Sequence, residues 1–347
     1  MSAIEALATT GIGSLPHDNV EDALSLSFRA DVPYLPQLPK RDVNEYMLAY
    51  ALDGMPGILV DEQGMITIDM ATWRKGFLKY SERLALALED KQPELLLPSS
   101  QSCSALRPFL DKLVKEQAPL AKVQMTGPLT LQWSLRTTEG QFPPPPVSAQ
   151  VSRTVMAKSI ALCRAVQSAG AKPIIFLDEP GLYAFSPQQP NHLVLLQELK
   201  ILIVTLQKLG AEVGLHCCSD AYWPSVIDLG LDILAIDAHL SLPSLLRSSE
   251  SLLRFSSSGG QLALGVIPTQ SEAAPSVSEI FGHFEGRIRT LEKYFRTRAS
   301  MFERVLSRSL LTPACGMALL SPNRAASAHA QLAAFQSTYR SFHAQRH

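Results

Sequence analysis

Cysteine is scarce in this sequence: five residues among 347, an odd number spread from position 103 to 315. That excludes the disulfide framework that staples small secreted domains. The opening MSAIEALATTGIGSLPH lacks a basic segment leading into an apolar one, so no secretory leader is expected. Together these features point to free thiols in a reducing, cytoplasmic setting, some of them available to a metal. An excess of one charge sign is lacking too. Lys and Arg number 31 and Asp and Glu 32, for a net charge of −1. Neither a nucleic acid nor a membrane surface is an expected partner, because both call for a basic excess or stripe. Long apolar runs are missing: stretches such as LKILIV (199–204) fall far short of the roughly 20 residues that span a bilayer. No Gly-x-Gly-x-x-Gly follows an apolar run, which removes the commonest reason to expect a doubly wound dinucleotide fold.

What is present is ample core material, with 46% of residues hydrophobic. Short apolar runs read as buried strands: ATTGIG (8–13), PYLPQL (33–38), AKVQMTG (121–127), KPIIFLD (172–178), EVGLHC (212–217), DILAID (232–237), QLALGVI (261–267) and SLLTPAC (309–315). Helical periods lie between them, clearest at 151–170, 192–210 and 278–298, with 323–345 as a closing helix. Gly170, Gly210 and Gly230 sit where a helix ends on a left-handed residue. Eight strands alternating with helices predict a (β/α)8 TIM barrel, with an open sheet as the rival. The expectation is one catalytic barrel spanning 1–347. GILVDEQGMITIDM (57–70) reads as a small β-hairpin inserted between strands 2 and 3. QFPPPPV (141–147) reads as an extended loop near the barrel mouth.

In such a barrel the chemistry sits where strands end. Ser14, Asp178, Glu179, His216, Cys218, Asp237 and Cys315 all fall at or just past strand C-termini. His216 and Cys218 are two apart, so in an extended chain they face one way and Cys217 the other. An imidazole and a thiol joined by Cys315 and Asp237 make a ligand set that suits Zn2+. A lone His-x-Cys is more plainly a hydrogen-bonded histidine beside a buried thiol; convergence of several strand ends argues for the metal. Ligands scattered from 216 to 315 need a preformed scaffold, as catalytic sites do. Two thiolates and a carboxylate overcompensate the ion's charge, so such a site favours a nucleophilic substrate sulfur over activated water. His239 is a reserve ligand. Ser219 and Asp220 read as helix caps, Cys103 and Cys163 as buried residues in helical patterns, and Asp178-Glu179-Pro180 has a plainer reading as a capped helix start.

These residues carry a resemblance. TTGIGSLP (9–16), MTGPLTLQW (125–133), LDEP (177–180), HCC (216–218), DILAID (232–237), LGVI (264–267) and TPACG (312–316) are similar, in order and spacing, to the C-terminal barrel of cobalamin-independent methionine synthase. That superfamily also includes uroporphyrinogen decarboxylase and corrinoid-dependent coenzyme M methyltransferases. The resemblance implies zinc-dependent methyl transfer to a thiol, homocysteine above all, giving methionine. It implies His216, Cys218 and Cys315 as zinc ligands, with Asp237 where the family has glutamate. Ile12, Gly13 and Ser14 match the segment that holds the amino acid's carboxylate. Asp178, within LDEP beside Glu179, matches the acid near its ammonium group. Three departures stand out. Gln270 occupies the place of a histidine thought to protonate the departing folate nitrogen, and an amide supplies no proton. Trp133 is one residue out of register with its family counterpart. PQLPKRDVNEYM (36–47) stands where a second carboxylate is expected. A methyl-corrinoid donor, free methylcobalamin or one carried on a partner protein, therefore fits better than methyl-folate, because a cobalt(I) corrinoid leaves without a proton. The alternatives are a related methyltransferase acting on another thiol such as coenzyme M, or a non-catalytic metal-binding barrel.

Overall fold

The computed structural model describes residues 4–294 and 305–344. Its strands in chain order are β1 (Ile58–Val60), β2 (Ile66–Ile68), β3 (Leu120–Thr126), β4 (Arg136–Thr137), β5 (Lys172–Asp178), β6 (Glu212–Cys217), β7 (Ile233–Asp237), β8 (Gln261–Ile267) and β9 (Leu310–Pro313). The helices are α1 (Val20–Ser27), α2 (Met47–Leu52), α3 (Met70–Leu88), α4 (Leu106–Glu116), α5 (Pro128–Ser134), α6 (Pro145–Ser168), α7 (Pro190–Lys208), α8 (Trp223–Ile227), α9 (Leu242–Arg247), α10 (Ser249–Ser257), α11 (Val277–Tyr294) and α12 (Pro322–Ala344).

Six strands pair in parallel in the order β3-β5-β6-β7-β8-β9. Each parallel step needs a crossover, and the helices supply it. The sheet curls as in TIM-like barrels. Two extended segments, 8–14 and 32–38, meet its edges through isolated parallel bridges. Thr9 bridges Leu311 of β9, Ser14 bridges Gln37, and Tyr34 bridges Lys122 of β3. Backbone hydrogen bonds follow the same path: Thr10 N–H to Leu311 O at 3.0 Å, Gln37 N–H to Gly13 O at 3.1 Å and Leu35 N–H to Lys122 O at 2.9 Å.

Strand alternation sorts two cores. Val213, Leu215 and Cys217 point out into the large cluster between sheet and helices. Ile174, Phe176, Ile233 and Ala235 point in, where they pack with Ile4, Ala8, Val32, Ala263 and Leu310. The outer layer is the larger contributor, at about 1.5–3 kcal/mol for each fully buried Leu, Ile or Val. Gly214 makes room for the inner layer: a Cβ there would lie 2.4 Å from the Phe176 ring. Continuing the same alternation by one step brings Asp178, His216 and Asp237 inward at the strands' C-terminal ends.

Some boundaries differ from the sequence reading. Helix α6 begins at Pro145, inside the stretch expected to be loop. Prolines occupy its first turn, where no intrahelical N–H is needed, so the extended run stops at Pro144. Cys103 precedes α4 and is not helical; Cys163 lies in α6, and both are buried. Strands β1 and β2 pair antiparallel, Ile58↔Ile68 to Val60↔Ile66. The Asp61 carboxylate turns the chain between them by accepting the Gln63 and Met65 N–H groups. Strand β2 also pairs in parallel with β4, which the sequence did not announce. Residues 295–298 and 345, the ends expected for two helices, lie outside the described residues. Among the described residues no helix is long and apolar enough to cross a membrane.

Candidate metal centre

His216 sits near the end of β6 and pairs in register with Asp178 of β5. Cys218 follows one residue past β6, and Cys315 two residues past β9. One ligand atom from each of His216, Cys218 and Cys315 lies within 4.8 Å of the others. His216 is buried, and neither ring nitrogen has a hydrogen-bond partner. Leaving a buried polar group unpaired costs about 1–3 kcal/mol, so an imidazole with two orphaned nitrogens beside two sulfurs fits a metal ion. The thiols point the same way. The Cys315 thiol first, and the His216 imidazole second, pull the Cys218 thiol down to about 4. Cys218 in turn pushes Cys315 up. Two thiols and an imidazole this close together favour a cation, whose charge lets both sulfurs ionise. Cys217 faces the outer core, as alternation predicts.

Asp237 is not among the described residues whose ligand atoms converge here. One of its oxygens accepts the backbone N–H groups of His239 (2.7 Å) and Leu240 (3.3 Å), and the other faces the Gln270 amide nitrogen at 3.4 Å. The carboxylate closes the turn after β7. His239 is also engaged, its Nε2 at 2.7 Å from the Val266 carbonyl. Glu179 is engaged by the backbone as well. It accepts the N–H groups of Leu129 (3.0 Å) and Thr130 (2.8 Å) and the Thr130 hydroxyl, so it caps α5 on the neighbouring crossover. Burial pushes its carboxyl up to about 7, against the pull of those donors. A Cβ on Gly127 would lie 2.0 Å from Glu179 Oε1, so that approach needs glycine. Asp220 binds the Trp223 indole N–H at 2.9 Å and does not cap α8.

A cavity of about 280 Å³ opens beside the three ligands. Ser14, Asp178, His216, Cys218 and Cys315 line it together with the apolar side chains of Ile12, Pro39, Met47, Pro180, Ala318 and Leu319. Asp178 is the free acid here: its Oδ1 is buried without a partner. Burial pushes the carboxyl up to about 6, with the Lys122 ammonium opposing. Ser14 Oγ lies against Gly316, where a Cβ would come within 2.1 Å of it. Gly13 supports this wall through its backbone. Trp133 lies tilted against His192, ring centroids 4.7 Å apart, and does not line the cavity. A larger groove, about 770 Å³, lies at the opposite strand ends. Its Lys172 and Glu212 already pair at 2.6 Å, so the chemistry is not there.

Three residues near the site went unread in the sequence. Lys122 is wholly buried inside the barrel, and Gln124 follows two residues later on the same face. The pattern Lys-x-Gln-x-Thr within an otherwise apolar strand is the signal that would have found them. Glu45, within PQLPKRDVNEYM, lines the cavity, but its carboxylate is spent on the Leu38 N–H and on Ser104.

A family model described as cobalamin-independent synthase, catalytic domain, matches residues 109–334, about two thirds of the chain. Among solved structures, a methyltransferase from Methanosarcina mazei superposes over 97% of this chain and 95% of that one, with a TM-score of 0.51 and 15% identity. At that identity the likeness speaks for the fold. No curated protein sequence matches.

Proposed function

The chain belongs to the cobalamin-independent synthase catalytic-domain family, and on that premise we propose that it is a zinc-dependent methyltransferase whose acceptor is a thiol, homocysteine above all, giving methionine. The observation that carries the reading is the buried His216, unpaired at both nitrogens, beside the sulfurs of Cys218 and Cys315. These three residues would hold the ion. Zinc bound there would keep the acceptor's sulfur anionic at neutral pH and ready to attack an electrophilic methyl group. The chain's own groups do the rest. Asp178, buried and unpaired on one oxygen, receives the acceptor's ammonium group. The Ile12-Gly13-Ser14 segment holds its carboxylate. Met47 and Pro180 give the reacting sulfur an apolar flank. We read the scaffold as a complete eight-stranded barrel of one domain with the 57–70 hairpin inserted, a reading supported by the bridges that segments 8–14 and 32–38 make to β9 and β3.

The donor is a methyl-corrinoid, free or on a partner protein. Gln270 supports this: its amide faces Asp237 and has no proton to give a departing folate nitrogen. The test supplies zinc-loaded protein with homocysteine and each donor in turn. Methionine formed from methylcobalamin supports the reading; turnover with methyl-folate alone contradicts the donor, and turnover with neither contradicts the activity.

A further inference from the structure

Lys122 has no place in the chemistry just described, yet it is wholly buried in the barrel interior. An ammonium group removed from water is costly unless something requires it. Its nitrogen donates a short hydrogen bond to the Ile12 carbonyl and another to Gln124 Oε1 at 3.2 Å, and it sits 4.6 Å from the Phe176 ring centroid. Gln124 in turn donates to the Leu35 carbonyl at 2.9 Å. The first extended segment needs such help. Backbone hydrogen bonds pin it on either side, Thr9 and Thr10 to Val32 and Leu311 and Gly13 and Ser14 to Gln37 and Met317, but no continuous ladder joins those points, and between them it offers glycines. A Cβ on Gly11 would lie 2.3 Å from the Tyr34 ring, and one on Gly13, whose φ is +149°, 2.5 Å from the Gln124 amide. This stretch rests on side chains of other strands and contributes none inward at those two positions.

We propose that Lys122 is the positioning residue of the cavity's first wall: through the Ile12 carbonyl it holds Ile12–Ser14 where the acceptor meets them, without touching the acceptor. The consequence for turnover rests on the thiol-acceptor reading; the positioning itself does not. An ammonium at this point supplies a donor that a strand ladder would otherwise provide, and a charge-assisted bond is about twice as strong as a neutral one.

The experiment compares wild type with Lys122→Met, which keeps the side chain's length and removes its donors. Hydrogen–deuterium exchange is read peptide by peptide. Exchange in residues 9–16 should quicken by about tenfold or more while β5 to β8 keep their protection. With homocysteine, KM should rise by about tenfold with kcat changed less than about twofold, and Lys122→Arg should recover part of the loss. Unchanged protection in 9–16, or equal loss in every strand, overturns the proposal. A wild type that methylates no thiol sinks the functional reading, and the exchange comparison still decides the role of Lys122. Should Lys122→Met not fold, nitrogen NMR of the wild-type lysines decides it. A slowly exchanging ammonium signal coupled to the Ile12 carbonyl supports the proposal, and a freely exchanging one overturns it.

Discussion

The two sides of the barrel are built differently. From β5 to β9 the strands form a regular parallel ladder, Ile174↔Glu212 through Ile267↔Pro313 with one irregularity near Gly265. From residue 8 to 38 the chain meets its neighbours through isolated bridges and scattered backbone hydrogen bonds in place of a continuous ladder, and side chains fasten it further. Asp31 accepts from Thr9 N–H and Oγ, and Gln336 of α12 donates to Asp31 and to the Leu7 carbonyl. The Tyr34 hydroxyl meets His329 of α12 at 2.8 Å. The regular side carries the metal-ligand candidates, and the irregular side carries the cavity wall at Ile12 and Ser14. A rigid ladder suits an ion, whose ligands tolerate little error. A wall pinned by side chains takes its shape from them, and a single substitution there reshapes it.

Damage to the regular side should have the largest effect. Cys315→Ser and Cys218→Ser should each lose most bound zinc and lower kcat by about a thousandfold or more while the fold persists, checked by elemental analysis and turnover on one sample. Next is Asp178→Asn, which keeps the shape and removes the charge. KM for homocysteine should rise by about ten- to a hundredfold, with little change for a mercapto acid that lacks the amino group. Equal effects on both acceptors would remove Asp178 from amine recognition.

The irregular side should announce itself through pH. Burial first, then Arg29 and His17, push His329 down from 6.5 to about 4. The unfolded chain therefore binds a proton between those values that the folded one refuses. Stability is held above pH 6.5 and is lost as pH falls towards 4, by about 3 kcal/mol if His329 acts alone. Urea unfolding of wild type at pH 7 and 4.5 should show that loss, and His329→Phe should flatten it. Tyr34 loses its partner in that variant, so its stability at pH 7 is lower from the outset. The smallest effect is expected at Asp237→Asn. Bound zinc should stay near the wild-type level and turnover should fall less than about tenfold, since the carboxylate serves the 239–240 turn. Loss of the metal there would return Asp237 to the ligand set.

Much of the ladder was legible because buried parallel strands write themselves as apolar runs between turn residues: KPIIFLD, EVGLHC and QLALGVI coincide with β5, β6 and β8. The pairing of His216 with Cys218 followed from the two-residue period of a strand. What escaped was whatever depends on a partner far along the chain. Asp237 and Glu179 end strands at the mouth as a ligand or substrate acid would, but an aspartate closing its own turn and a glutamate capping α5 carry the same local signature. Lys122 lay hidden because a lysine in a strand is ordinarily a solvated one. The start of α6 was missed because prolines that forbid a helix interior are welcome in its first turn.

The central claim is that His216, Cys218 and Cys315 hold a zinc ion that takes up the acceptor's sulfur. X-ray absorption at the zinc edge, on purified protein before and after homocysteine, tests it most directly. The account predicts two sulfur ligands and one imidazole at first, and a third sulfur once homocysteine is added. A protein that binds no zinc, or binds it through nitrogen and oxygen alone, would contradict it.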